Sequence, residues 1–175
     1  LSDPTRNDVL VSAARTDSIT GRVGALQDAG LQVKVVDVGL HALARSVISL
    51  LPDLTENKSQ SICAVVDIGA VSLTFGVMIN GEIVYSRLQS FGGENFTQSI
   101  ASFYSMPMDE AERAKVQNKL PPDAEMDVLA PYITLLVQQI RRNIQLFCSS
   151  SGYRELDMLV LSGGGSLLPG LSEQL

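Results

Sequence analysis

Apolar and polar residues along the first 52 positions follow the periods of two strands and two helices. Continuous apolar runs predict strands, and apolar residues spaced by three and four predict helices. In chain order, the predicted bounds are 9–14, 17–29, 31–38 and 40–51. Gly30 and Pro52 directly follow the two helices, where glycine and proline are typical. The polar residues 53–61 predict a loop, so this segment is expected to be β-α-β-α.

The rest of the chain predicts three antiparallel strands, several helices and one more strand. Asn80-Gly81 lies between two apolar runs, and this dipeptide favours a type I′ hairpin turn because both of its residues tolerate positive φ. The predicted strands are 62–68, 73–79, 82–89 and 156–161, and the predicted helices are about 95–105, 109–120, 127–150 and from 168 onward. Asp109 and Glu112 predict a capping box for the second of these helices. Strands alternating with helices indicate an α/β protein.

The composition is that of a globular protein, with 45% apolar residues. A net charge of −6 and the absence of tryptophan argue against nucleic-acid binding, which needs basic surfaces and stacking platforms. The single histidine, His41, excludes a histidine-rich metal site, and Cys63 and Cys148 are expected to be free thiols in a reducing compartment. No run of about 18 apolar residues predicts a membrane span. The first residue is not Met and the last predicted helix is cut short, so a piece of a longer protein is expected.

The loop after the first strand of the meander carries Asp67, Gly69, Ser72 and Thr74. A carboxylate at a strand end can hold Mg²⁺ through water, a glycine lets backbone amides approach a phosphate, and a hydroxyl can donate to it. An ordinary tight turn, with Asp and Gly as turn formers, is the alternative.

Two further glycine-bearing loops follow. Gly92-Gly93 precedes a predicted helix, whose N-terminus could bind an anion, unless this is a plain helix entry with Asn95 as N-cap. Gly163-Gly164-Gly165 follows a buried strand, and bare backbone there indicates either close packing or a flat ligand. This triplet is not a GxGxxG fingerprint. Lys115 lies on the helix between these loops, and a solvated surface lysine is the alternative to a binding role.

The order of these features resembles the actin-like ATPase superfamily and, within it, the FtsA and PilM families. The resemblance is carried by VLVSAARTDSITGRVGALQDAGLQVKVVDV, VVDIGAVSLTFGV, FGGENFTQSIA, DEAERAK and LSGGGSLLPGL. It implies a partial actin-like (ribonuclease H-like) α/β ATPase fold, with a mixed sheet covered by helices. It also implies subdomains: 1–36 as the end of a 1C-like subdomain, 37–60 as a connecting helix and loop, and 61–175 as the second lobe (IIA), with 106–126 contributing to IIB.

The resemblance further implies ATP and Mg²⁺ as ligands, and a role for each loop. Asp67 would face Mg²⁺ through water, and Gly69, Ala70 and Ser72 would line the phosphate turn. The nucleotide cleft would be flanked by Gly92 and Gly93. The ribose or adenine would lie near Glu112 and Lys115, and the adenine would lie on the loop of Gly163, Gly164 and Gly165. Ala70 stands where FtsA-like motifs carry glycine, and Val71 is bulky beside a phosphate. No catalytic base is identified, so at most weak ATPase activity is expected.

The implied function is a nucleotide-binding cytoplasmic scaffold of type IV pilus assembly, peripheral at the inner membrane through its partners. ATP would set the angle between lobes and so gate docking of the N-terminal cytoplasmic peptide of PilN. Other inner-membrane pilus assembly proteins and self-association are also expected. The first phosphate hairpin of the superfamily is absent, so this piece alone should bind ATP weakly or not at all. An FtsA-like division scaffold, a small-molecule kinase or phosphatase of the same fold, and a type II secretion relative without nucleotide remain alternatives.

Overall fold

The computed structural model describes residues 11–52 and 61–175. The chain divides into two compact units between Ala42 and Leu43. The helices of the described residues are α1 (Thr16–Asp28), α2 (Gly39–Leu50), α3 (Gly93–Tyr104), α4 (Met108–Val116) and α5 (Ala130–Ser151). The strands are β1 (Ile62–Ile68), β2 (Leu73–Ile79), β3 (Glu82–Gln89) and β4 (Met158–Ser162). No helix in these ranges is both long enough and apolar enough to cross a bilayer.

The two helices predicted within the first 52 residues are confirmed as α1 and α2, and the strand predicted at 31–38 is wrong. Gly30 closes α1 with φ 78°, the left-handed conformation expected after a helix C-terminus. Residues 31–38 have no regular structure, and Val35 is 77% exposed. An apolar run forms a strand only if its backbone finds a ladder partner, and the described residues offer none to this segment. The strand predicted at 9–14 lies partly outside the described residues, and 11–14 form no strand.

The second unit contains a four-stranded mixed sheet in the order β3-β2-β1-β4. β1, β2 and β3 form the predicted antiparallel meander, and β4 pairs in parallel with β1. Asn80 and Gly81 have φ values of 53° and 83°, so the predicted hairpin turn is confirmed. The sheet is therefore the mixed sheet that the resemblance implies.

Side chains alternate between the two faces of the sheet and build two apolar clusters. The larger cluster joins Val66, Phe75 and other residues of one face to α3 and α5, with Leu136 and Ile140 fully buried. The smaller joins the other face to α2; its buried members are Ala44, Val47, Cys63, Val65 and Met78. Burial raises the pKa of the Cys63 thiol to about 11, which keeps it protonated and unreactive.

Several predicted helix boundaries differ from the structure. α4 ends at Val116 rather than near 120, and Pro107 takes the N-cap position, so the predicted capping box does not form. A π-helical turn, Glu125–Leu129, precedes α5. The helix predicted from 168 is wrong, since the chain there forms short 3₁₀ turns around the fully buried Leu171. Burying Leu171 against the larger cluster outweighs the helical pattern of these few residues.

Candidate functional site

The glycine-bearing loops meet at the C-terminal end of β1. The turn at 69–72 leaves this strand, the start of α3 lies against that turn, and the loop after β4 lies against Asp67 and Ile68. Because β4 runs parallel to β1 and pairs Ser162 with Asp67, the ends of both strands lie at the same edge of the sheet. The loops that the sequence separates by up to a hundred residues therefore form one site.

Backbone hydrogen bonds join the 69–72 turn to the start of α3. The amide of Gly69 donates to the carbonyl of Ser72 at 2.9 Å and closes the turn. The carbonyls of Gly69 and Ala70 then accept the amides of Gly93 (3.0 Å) and Glu94 (2.7 Å). The first amides of α3, which an anion would need, are thus already donated to the neighbouring turn.

Gly92 is the N-cap of α3 and touches the turn at a distance that only glycine permits. A Cβ added there would lie 2.6 Å from the carbonyl oxygen of Gly69 and 2.7 Å from that of Ala70. The amide of Gly92 donates to Asn95 Oδ1 at 2.9 Å. Asn95 is therefore the third residue of the helix, whose side chain accepts from the N-cap amide, and it is not itself the N-cap. Gly93 has ordinary space around it, its nearest side-chain neighbour being Lys115 Nζ at 3.7 Å from an added Cβ.

A buried tyrosine of α5 forms a hydrogen bond with the loop that contains Gly92. Tyr132 Oη donates to the carbonyl of Gly92 at 3.0 Å. Its ring stacks on Phe91 and Phe96, with centroid distances of 5.5 Å and 5.1 Å. Burial raises the pKa of Tyr132 to about 12, so the phenol remains a neutral donor across the physiological range. The loop is therefore held by α5, whose buried apolar residues belong to the larger cluster.

Lys115 of α4 is bound to the first turn of α3. Its ammonium donates to Thr97 Oγ1 at 2.6 Å and to the carbonyl of Gly93 at 3.2 Å, and it pairs with Glu112 Oε2 at 2.6 Å. The predicted pair Glu112 and Lys115 is thus brought to Gly93. Lys115 is not the solvated surface lysine that was the alternative, because its side chain is only 20% exposed.

Thr97 was missed by the sequence reasoning, although it joins these groups. It is 2% exposed, and its hydroxyl lies 2.5 Å from Glu112 Oε2 and 3.1 Å from the carbonyl of Gly93. The Lys115 ammonium, and then the Thr97 hydroxyl, hold the pKa of Glu112 below its ordinary value. A polar residue on the buried stripe of α3, one turn after Gly93, was the available signal.

The three glycines after β4 differ in what requires them. Gly163 has φ +80°, and a Cβ there would lie 2.5 Å from the carbonyl oxygen of Ile68 and 2.7 Å from Asp67 Oδ1. A Cβ at Gly165 would overlap the Ile68 side chain. Gly164, in contrast, has no atom within 4 Å of an added Cβ. Close packing on β1 therefore accounts for two of the glycines, and Gly164 faces open space.

Asp67 is the carboxylate at the centre of this site. It is partly buried, and within residues 11–52 and 61–175 its side chain accepts no hydrogen bond and forms no ion pair. The same ranges contain no group of three or more His, Cys, Asp and Glu side chains that could hold a metal ion. Within these ranges, Asp67 would offer a cation one carboxylate, to be completed by hydroxyls, waters or ligand oxygens, a set that suits Mg²⁺.

Comparison with known proteins gives a consistent set of matches. A family model described as type IV pilus assembly protein PilM matches residues 1–175. Cell division protein FtsA of Buchnera aphidicola subsp. Acyrthosiphon pisum (strain APS) is 28% identical over 171 residues, covering 81% of this chain and 40% of FtsA. A solved PilM-PilN type IV pilus biogenesis complex matches with a TM-score of 0.74 and 27% identity, covering 91% of this chain and 44% of that chain.

A more distant match concerns the fold. Ta0583, an archaeal actin homolog solved in complex with ADP, superposes with a TM-score of 0.55 at 18% identity, covering 75% of this chain and 47% of that chain. The actin-like α/β fold is thereby confirmed. The chain spans about two fifths of the length of the PilM and FtsA relatives that it matches.

Proposed function

Because the chain belongs to the family of the type IV pilus assembly protein PilM, we propose that it supplies one half of a nucleotide site in a scaffold of type IV pilus assembly. The observation that carries this proposal is the convergence of three loops on one strand end. The 69–72 turn, the Gly92-Gly93 loop and the loop at 163–165 all lie at the C-terminal end of β1, beside Asp67. Ligands of open α/β sheets bind outside the carboxyl ends of the strands.

The proposed ligand is ATP with Mg²⁺. Asp67 would hold the cation through water, and the turn that contains Gly69, Ala70 and Ser72 would lie along the phosphates. The cation, when bound, would offset phosphate charge. Asp67 suits this role because its carboxylate has no hydrogen-bond partner among the described side chains.

The adenosine would lie on the loop at 163–165, with Gly164 facing the base. The open space at Gly164 supports this placement, since packing alone does not require a glycine there. Glu112 and Lys115 would lie near the ribose or adenine. Lys115 already donates to Gly93 and Thr97, so its side chain would order the wall of the cleft more than it would bind the ligand directly.

We further propose that nucleotide sets the angle between two lobes of the full-length protein. That angle would gate docking of the N-terminal cytoplasmic peptide of PilN, and the solved PilM-PilN complex supports PilN as the partner. Nucleotide can shift this equilibrium only by its difference in affinity for the two lobe angles. The protein would work in the cytoplasm at the inner membrane, held there by PilN and other pilus assembly proteins.

Calorimetric titration of ATP and Mg²⁺ into the full-length protein tests the proposal. We expect Asp67→Ala and Gly164→Ala each to weaken binding several-fold. Gly164→Ala should leave the melting temperature unchanged, because its Cβ meets no protein atom. Gly21→Ala in α1 is the matched control, since it too adds a methyl group in open space. Unchanged ATP affinity in both Asp67→Ala and Gly164→Ala would refute the proposed site.

A division scaffold is the second candidate, because FtsA is 28% identical over 171 residues. It shares the fold and the proposed nucleotide site, so ATP binding does not separate the two. Binding of a synthetic PilN N-terminal peptide to the full-length protein does separate them. Micromolar peptide binding that responds to nucleotide favours pilus assembly, and its absence favours the division scaffold.

A further inference from the structure

Three oxygen-bearing side chains lie side by side across the centre of the sheet. The antiparallel pairing of β1 and β2 places Thr74 opposite Asp67, and the parallel pairing of β1 and β4 places Ser162 beside it. Directly opposed residues on neighbouring strands have Cβ atoms about 4.5–5.5 Å apart. Asp67 is therefore flanked on both sides by a hydroxyl.

The three side chains share one face of the sheet. Side chains alternate along a strand, so Asp67 lies on the face of Cys63 and Val65, which pack in the smaller cluster. By the same alternation, Thr74 shares the face of Met78, and Ser162 shares that of Val160. The helix α2 covers this face near Cys63 and Met78. Asp67 and its two register partners, Thr74 and Ser162, lie farther along the sheet, at the C-terminal end of β1.

Nothing in the described part of the chain satisfies these three groups. Each of them is partly buried, and none of the side-chain oxygens of Asp67, Thr74 and Ser162 forms a hydrogen bond with residues 11–52 or 61–175. Half-buried polar groups in folded proteins bind protein, water or ligand partners. A carboxylate between two hydroxyls is a set of oxygens suited to a hard cation or its bound water.

We propose that Thr74 and Ser162 are outer-sphere positioning residues for the nucleotide-bound Mg²⁺, each accepting a hydrogen bond from a water molecule that the cation carries. This inference rests on the proposed nucleotide site and deepens it. Mg²⁺ gives up its waters reluctantly and is held by one or two carboxylates plus phosphates. The described half of the site offers the hydration shell one carboxylate, and the two hydroxyls on either side of Asp67 supply further acceptors.

The test measures how nucleotide affinity depends on Mg²⁺ in the full-length protein. A fluorescent ATP analogue is titrated in EDTA and at rising Mg²⁺ concentrations, which gives a half-saturating Mg²⁺ concentration for each variant. We expect Thr74→Val and Ser162→Ala each to raise that concentration roughly 2- to 10-fold, the range of one net hydrogen bond. Affinity in EDTA should not change, because neither hydroxyl contacts the nucleotide itself.

Two controls separate a cation role from a folding role. Thr74→Ser keeps the hydroxyl and should keep the unsubstituted Mg²⁺ dependence. Ser86→Ala removes a hydroxyl on the same sheet face, but Ser86 pairs with Gly76, one row away from Asp67, and this change should have no effect.

The outcomes distinguish this inference from the proposed function. If Asp67→Asn shifts the Mg²⁺ dependence and neither Thr74→Val nor Ser162→Ala does, the inference is overturned and the nucleotide site stands. If Ser86→Ala shifts the Mg²⁺ dependence as much as Thr74→Val does, the role assigned to Thr74 and Ser162 is also overturned. If the unsubstituted full-length protein binds no nucleotide, both the site and the inference fail.

Discussion

The contact between Gly92 and the 69–72 turn leads to a sharp prediction about two adjacent glycines. Replacing Gly92 by alanine adds a Cβ 2.6 Å from the Gly69 carbonyl oxygen and 2.7 Å from the Ala70 carbonyl oxygen. Both atoms belong to backbone, so no side-chain rotation relieves the overlap. The turn and the start of α3 must separate by several tenths of an ångström.

The expected cost follows from what this separation breaks. The amides of Gly93 and Glu94 donate to the same two carbonyls, and each net hydrogen bond contributes about 0.5–1.5 kcal/mol. Overpacking a tight site costs about 1–3 kcal/mol by itself. The two estimates describe one displacement and do not add. We therefore expect Gly92→Ala to lower the free energy of unfolding by about 1–3 kcal/mol.

Chemical denaturation of the full-length protein followed by circular dichroism measures this difference, with Gly93→Ala as the matched control. A Cβ at Gly93 meets nothing closer than 3.7 Å, and alanine favours the helix that begins there, so the control should be neutral or slightly stabilising. Equal effects of the two substitutions, within about 0.5 kcal/mol, would contradict the close approach of Gly92 to the turn.

The remaining predictions concern the groups that hold this junction. Tyr132→Phe should cost about 1–2 kcal/mol, because the Gly92 carbonyl loses its buried donor, and Tyr153→Phe is the control, since Tyr153 lies at the margin of the larger cluster. In alkaline solution, the unfolded phenol ionises near pH 10 and the folded one at about 12. The stability due to Tyr132 is therefore complete below pH 10 and lost between these values, and Tyr132→Phe should flatten this alkaline loss. Glu112 has a lowered pKa, so its contribution is complete above its ordinary pKa of 4.5 and lost as the pH falls through the folded value. Glu112→Gln should reduce this acid loss in denaturant titrations at several pH values, and Glu110→Gln should not; equal acid loss in both variants would contradict the Lys115 pairing.

The strand meander was predictable because its determinants are local. The bounds of β1, β2 and β3 follow from continuous apolar runs, and Asn80-Gly81 fixes the second turn by its own backbone preference. The long helix α5 follows from its apolar stripe in the same way. The segment 31–38 shows the limit of this reasoning, since an apolar run does not reveal whether a ladder partner exists.

The composition of the candidate site was predictable from the sequence, but its construction was not. Gly92, Gly163 and Gly165 make close backbone approaches, but the sequence does not show which atoms approach them. Gly92 touches a turn more than 20 positions earlier, and Gly163 touches Ile68 almost a hundred positions earlier. Thr97 was missed for a related reason, because its partners Glu112 and Lys115 lie on the next helix. Contacts of this kind depend on tertiary packing, which no local pattern encodes.

The bond pattern around Gly93 has a mechanical consequence. The 69–72 turn is tied to α3 by two backbone bonds, and α3 is tied to α4 through Lys115. These bonds connect the turn to α4, whose nine residues span about 13 Å. We therefore expect a displacement of the hairpin turn to move α3 and α4 together with it.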